Sequence, residues 1–178
     1  DPSLAHPNAE FWRLDLTNLS NCRIACKNVD YVINLMCIKS SLTTQSKRPA
    51  LFFKMLEFNS NLIKAAVATG VKKFLYTSSV GIYPRGEILR EDDAEEAGPS
   101  KNDRFAGLIK KVGEREVEAF RIQYGITTSI ARPSNIYGSY DSFHSEDSTV
   151  VAGLIVRAIE AFEKKAPLEV WGDGSQIR

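Results

Sequence analysis

Four short β-type runs alternate with helical segments along the chain, and this alternation leaves few architectures open. The runs are AEFWRLDL at 9–16, DYVINLMC at 30–37, KKFLYTS at 72–78 and ITTSIA at 126–131. The second is nearly continuous in apolar residues, which predicts a strand buried on both faces of a parallel sheet. Between the runs, residues 49–69 carry Leu51, Met55, Phe58, Leu62, Ala65 and Ala66 at three-to-four spacing and stop at Gly70. That spacing predicts a helix with one apolar face and a glycine at its C-terminal end. A second helix is expected over 103–124, with Asp103 as its N-cap and Gly125 beyond its end, and a third over 149–164. Strand–helix alternation implies right-handed crossovers, so the expected fold class is α/β, a doubly wound parallel sheet. The acidic stretch at 86–103 and the polar stretch at 138–148 read as surface loops.

The composition excludes several functions. With 178 residues, 43% hydrophobic and 25% charged, the chain is long enough to bury a core. Its formal net charge of +1 gives no bulk field that would attract nucleic acid or an anionic membrane. No run approaches the ~20 apolar residues of a membrane span, and residues 1–10 lack the charge and apolar core of a signal peptide. Three cysteines (Cys22, Cys26 and Cys37) and two histidines (His6 and His144) have no zinc-type spacing, so no metal is expected and a reducing, cytoplasmic setting fits. Cys22 and Cys26, one helical turn apart, could in principle share a metal, but buried structural thiols are the stronger reading. The chain starts and stops abruptly, in loop-like sequence, which suggests a fragment of a longer protein.

A dinucleotide-binding fold normally opens with a strand, a glycine-rich turn and a helix whose N-terminus holds the pyrophosphate. No G-x-G-x-x-G or G-x-x-G-x-x-G occurs here, and the chain enters at what would be the third strand of such a sheet. In open α/β sheets ligands sit beyond the carboxyl ends of the strands. Those ends carry the hydroxyls of Thr77, Ser78 and Ser79, then Asn135 in RPSNIYG, and the soft side chains closing DYVINLMC. Taken singly, each is an ordinary turn former or cap.

Taken together, DLTNL, YVINLMC, NLIKAAVATGVKKFLYTSSVGIY, AGLIKKVGE, ITTSIARPSNIYG and VWGDGSQIR resemble the extended short-chain dehydrogenase/reductases. The resemblance is to the NAD-dependent nucleotide-sugar epimerases and dehydratases, GDP-mannose epimerase-like members included. It spans nearly the whole chain in the family's order. It implies a Rossmann-type sheet, incomplete at its glycine-loop unit and its substrate lobe, with 1–138 the partial dinucleotide-binding domain and 139–178 the start of the lobe. It also implies NAD or NADP as cofactor, a nucleotide-sugar substrate, and a homodimer paired through the helices at 49–69 and 103–124.

Roles follow by position from the same resemblance. Asp15 and Leu16 match residues flanking the adenine, and Leu35, Met36 and Cys37 match the strand end beside the cofactor, where the family usually has small alanines. Ser78 and Pro133 match further cofactor contacts. Ser79 matches the catalytic hydroxyl that bonds the reacting sugar oxygen. Lys110 matches the lysine that binds the nicotinamide ribose and lowers the pKa of the catalytic tyrosine. Asn135 and Arg178 match contacts to the substrate diphosphate.

The tyrosine itself is missing. In DRFAGLIKKVGE, Lys110 is followed by Glu114 on the same helical face and preceded four residues earlier by Ala106, the tyrosine position. Phe105 and Gly107 offer no phenol in a shifted register, and neither Tyr83 nor Tyr137 lies in helical register with Lys110. Tyrosine works as a base near neutrality only when a nearby cation stabilises the phenolate, and such proton transfer is worth ~10²- to 10⁴-fold. The expected function is therefore hydride transfer through a keto-sugar intermediate, impaired at Ala106. Two alternatives stand beside it: a non-catalytic remnant that binds a nucleotide or a partner, and an NADP-dependent ketone reductase, which GDGSQIR disfavours.

Overall fold

The computed structural model describes residues 6–38, 46–84, 86, 88–96, 98–99, 103–143 and 148–170. Three parallel strands, β1 (Tyr31–Asn34), β2 (Lys73–Thr77) and β3 (Thr127–Ala131), form one sheet in that order. Val32 lies opposite Phe74, and Phe74 opposite Thr128. The helices are α1 (Leu19–Cys26), α2 (Lys54–Thr69), α3 (Asp93–Glu96), α4 (Ala106–Tyr124) and α5 (Val150–Lys164). The fold is the expected Rossmann-type α/β arrangement in partial form.

Helices α2 and α4 make the two crossovers, and both pack on the same face of the sheet, with α1 laid against α2. Leu62, Ile63, Ala65 and Ala66 of α2, Val117 of α4, Phe74 and Tyr76 of β2, and Cys22 and Cys26 of α1 form one continuous core. Both α1 thiols are free and buried. Gly70 (φ 78°) and Gly125 (φ 70°) end α2 and α4 in the left-handed region, where a glycine avoids the Cβ clash.

Several expectations need correction. Residues 9–16 form no strand. An isolated β-run has no ladder to complete, and in a doubly wound order the third strand pairs with the second, which no described residue supplies. The run at 30–37 contributes only four residues to the sheet, and their burial alternates: Tyr31 and Ile33 are 61% and 64% exposed, while Asn34 is buried. Among the described residues one face of β1 is thus bare, not both faces covered. Asp103 does not cap a helix at 103: α4 starts at Ala106 behind Phe105, which makes no side-chain cap. The Asp103 carboxylate packs against Gly81 instead. Residues 49–53 are a 3₁₀ turn leading into α2, begun by Pro49, whose missing N–H costs nothing in a first turn. Helix α5 follows its periodicity, yet only Ala152 on it is buried.

Candidate functional site

The carboxyl ends of β1 and β2 meet the first two turns of α4. Close approach is built into α4 by two glycines. A Cβ at Gly107 would collide with the carbonyl of Gly81, and a Cβ at Gly113 with the phenol of Tyr76. The helix therefore lies nearly on β2 and on the 3₁₀ turn Val80–Ile82 that follows it.

This contact drives Lys110 inward. The residue is 4% exposed, and its Nζ donates to the carbonyl oxygens of Thr77 (2.6 Å) and Met36 (3.3 Å), bridging the ends of β2 and β1. The ring of Tyr76 lies 5.2 Å from Nζ. Burial holds the Lys110 amine below its usual pKa, with the Cys37 side chain pulling weakly the other way.

Ser79 stands two residues beyond Thr77, and its Oγ accepts from the Gly81 N–H at 3.0 Å, capping the turn. Just before it, Ser78 is 2% exposed, and its Oγ, like Thr77 Oγ1, is buried without a hydrogen-bond partner. Buried hydroxyls in native folds are normally satisfied, so two orphans side by side at a strand end are suited to a ligand. Pro133 sits alongside, its carbonyl accepting from Val80 N–H at 3.1 Å.

Ala106 lies one turn before Lys110 on α4 and packs beside a small apolar cluster of Phe52, Met55 and Ile109. Among the described residues, no tyrosine hydroxyl is hydrogen-bonded to the Lys110 amine. The Tyr76 hydroxyl donates to the Lys110 carbonyl at 3.4 Å, and burial, followed by the charges of Glu114 and Glu116, pushes its pKa well above the ordinary tyrosine value. Tyr83 is buried against Arg132, and Tyr137 is 67% exposed.

The other expected residues spread out. Leu16, Leu35 and Met36 line one groove of about 280 Å³ beside β1, together with Tyr31 and Ile33. Cys37 is exposed at the end of this rim. Asp15 is exposed, and its Oδ1 accepts from Thr17 N–H (3.0 Å) and Thr17 Oγ1 (2.8 Å), which holds the carboxyl below its usual pKa. This is a turn-forming role at the entrance to α1. Asn135 is exposed, and Arg178 lies outside the described residues.

The sequence motifs gave no sign of a clamp between α4 and β3. Arg132, just past β3, donates from Nε and Nη2 to the two carboxylate oxygens of Glu114 at 2.9 and 2.8 Å. Its Nη1 donates to the Glu91 carbonyl at 3.0 Å and to the Tyr83 oxygen at 3.3 Å. The bidentate pairing raises the guanidinium pKa and fixes α4 one turn beyond Lys110. The K-x-x-x-E spacing was visible in the sequence; its partner, 18 residues further on, was not.

Comparison with known proteins bears on this arrangement. A rice protein, "Probable GDP-L-fucose synthase 1" (Oryza sativa subsp. japonica), is 32% identical over 172 residues, covering 93% of this chain and 52% of that protein. "GDP-mannose 3,5-epimerase" of Arabidopsis thaliana is 29% identical over 174 residues, covering 95% of this chain and 45% of its own length. The chain thus spans about half the length of the curated relatives it matches. Among solved structures, a GDP-L-fucose synthetase from Naegleria fowleri bound to NADP superimposes with a TM-score of 0.77 at 20% identity, over 89% of this chain and 54% of that one. UDP-glucose 4-epimerase of Thermus thermophilus, in complex with NAD, gives a TM-score of 0.71 at 24% identity, over 94% and 52%. The model of the NAD dependent epimerase/dehydratase family matches residues 2–178, and the chain belongs to that family.

Proposed function

We propose that this chain is the cofactor-side part of an NAD(P)-dependent enzyme acting by hydride transfer on a sugar carried by a nucleoside diphosphate. The observation that supports this best is the Lys110 ammonium, buried and bridged between the Thr77 and Met36 carbonyls at the carboxyl end of the sheet. A buried amine held this way, with a third N–H to spare, suits the ribose hydroxyls of a nicotinamide nucleotide.

The residues present fit the nicotinamide-ribose part of the cofactor. The orphaned Ser78 and Thr77 hydroxyls lie beside the amine's acceptor, and Leu16, Leu35 and Met36 wall a groove along the neighbouring strand. No glycine-rich turn in this sequence would hold the pyrophosphate. The bound nicotinamide would supply the hydride acceptor. Ser79 would orient the reacting oxygen, giving up its turn-capping bond or sharing it, while Lys110 holds the ribose. Asn135 and Arg178 would face the diphosphate. Ala106 leaves the sugar hydroxyl without its usual proton acceptor.

A second reading, NADP-dependent reduction of a keto sugar, is favoured by the NADP-bound fucose synthetase among the structural neighbours. Ala106 in turn favours a non-catalytic nucleotide-binding role. Thermal melting separates these readings. A nucleotide at a hundred times its Kd adds about 2.7 kcal/mol to stability, so NAD⁺, NADP⁺, GDP and UDP at millimolar concentration are compared one by one. A shift with NADP⁺ alone selects the reductase reading, and no shift with any of the four removes the proposal. Introducing Ala106→Tyr should raise turnover of a GDP- or UDP-linked sugar by ~10²-fold or more. Nucleotide-induced stabilisation with no turnover in either form leaves binding as the role.

Pairing of two copies through α2 and α4 is part of the same proposal. Leu108, Val112 and Ile122 of α4 and Phe53 ahead of α2 are exposed apolar side chains. Light scattering of the purified chain reports whether its mass is that of one copy or two.

A further inference from the structure

Asn34 is the polar residue of β1 on the helix-covered face, 3% exposed in an otherwise apolar layer. An amide so placed costs on the order of a few kcal/mol unless its hydrogen bonds are met. Both ends are met. Nδ2 donates to Asn59 Oδ1 at 2.8 Å, and Oδ1 accepts from the Met36 N–H at 3.1 Å. Asn59, 2% exposed on α2, passes the chain on from its Nδ2 to Glu116 Oε2 at 2.7 Å. The other oxygen of Glu116 accepts from Ser60.

The relay therefore starts at a half-buried carboxylate on α4, crosses α2 and ends on the backbone of Met36. The carbonyl of that same Met36 receives the Lys110 amine, and Lys110 is again on α4. The loop closes on itself. Residues 35–38 leave the sheet without ladder partners, and two bonds hold the backbone on either side of the Met36 carbonyl: the Met36 N–H to Asn34 Oδ1 and the Ile38 N–H to Met55 Sδ. A leucine would fill the same space but would orphan Asn59 Oδ1 and the Met36 N–H, so each bond of the relay depends on the next.

We infer that Asn34, supported by Asn59 and Glu116, is a positioning residue that aims the Met36 carbonyl at Lys110 and so sets the orientation of that amine. The functional importance of this rests on the ribose-binding reading of Lys110, but the geometry can be tested without a cofactor. The readout is the pH profile of Lys110 modification, measured site by site by mass spectrometry after brief acetylation of the chain. Two other titratable groups act at this point, Cys37 and the buried phenol of Tyr76. Cys37→Ser is placed in every variant, and measurements stop below the tyrosine range.

In Asn34→Leu the amine loses a fixed acceptor. A fall of about half a unit in its titration midpoint would raise the neutral fraction, and the modification rate near pH 8, about threefold. Asn34→Asp keeps an oxygen for the Met36 N–H, and its Lys110 is modified no faster than in the parent. Glu116→Ala cuts the relay at its accessible end and moves Lys110 in the same direction by a smaller factor, which supplies the test if Asn34→Leu does not fold. Unchanged Lys110 profiles in Asn34→Leu and Glu116→Ala, or in Glu116→Ala alone if the other is unfolded, overturn the inference. The melting shift with nucleotide is recorded in parallel. A changed profile with no nucleotide effect in any form retains the positioning and discards the ribose reading.

Discussion

The two faces of the sheet both carry apolar side chains and have very different surroundings. On one, Val32, Phe74 and Tyr76 lie under α1, α2 and α4 and are continuous with the main core. On the other, Tyr31 and Ile33 of β1 stand exposed, with Leu35 just beyond them at 69% exposure. The contrast separates two things that an apolar run in a sequence reports together, the tendency to form a strand and the demand for cover. The ladder with β2 satisfies the first on both faces at once. Helices of this chain satisfy the second on one face only, among the described residues. The candidate site lies where the covered face ends, so its rigidity derives from α4 and α2.

The sharpest test of this contrast is deletion of a side chain from the covered face. Phe74 is 1% exposed at the centre of the core, and Phe74→Ala should cost about 3–5 kcal/mol in urea denaturation. Next comes the close approach that carries Lys110 inward. Gly113→Ala drives a methyl into the Tyr76 phenol, whose ring is itself buried, and overpacking of this kind costs about 1–3 kcal/mol. It should also raise the accessibility of Lys110 to acetylation, since α4 must move outward. A Gly113→Ala protein as stable as the parent would mean that α4 does not lie where its contacts place it.

The covered face was largely legible in the sequence, and the reasons can be traced to particular residues. The strands at 73–77 and 127–131 and the helix stops at Gly70 and Gly125 follow from periodicity and backbone freedom, both of which are local. Lys110 and Ser79 came in as expectations from the family resemblance, whose motifs are also local. The run at 9–16 has strand-like residues and no strand, because pairing depends on a neighbour that its own residues do not encode. The Arg132–Glu114 clamp and the Asn34–Asn59–Glu116 relay join residues 18, 25 and 57 positions apart, with no repeat to betray them. Gly107 and Gly113 offered a weak sign, since two glycines inside one helix are costly unless something comes close.

Helix α1 seals the far end of the covered face through Cys22 and Cys26, and pH gives a handle on that seal. Burial pushes the Cys26 thiol from about 9 up to about 11, the charge of Cys22 adding to the effect. Between those values the unfolded chain has lost the Cys26 proton and the folded chain has kept it. The folded-state pKa is the raised one, so the contribution is complete below pH 9 and is lost as pH rises through 11. The loss is on the order of 1–3 kcal/mol. Melting curves at pH 8, 9, 10 and 11 should therefore fall less steeply for Cys26→Ala than for the parent. Parallel curves for the two proteins would place the thiol in contact with water and α1 away from the core.

The smallest effect is expected on the bare face, and its smallness is what gives it value. Ile33 is flanked in the sheet by Leu75, which is partly buried, yet it remains 64% exposed. Ile33→Thr keeps the β-branched shape that favours the strand and removes only apolar surface that water already reaches. Its cost in urea should stay within about 0.5 kcal/mol, as for other surface substitutions. The same change on the covered face, Val32→Thr, places a hydroxyl against the core beneath α2 and should cost more, about 1–3 kcal/mol if the hydroxyl finds no partner. If Ile33→Thr costs as much as Val32→Thr, the face drawn here as bare is covered in solution, by another copy or by another part of a longer chain. A concentration-dependent melting temperature then points to the copy, since association stabilises by mass action, and a constant one points to cover from within the same chain.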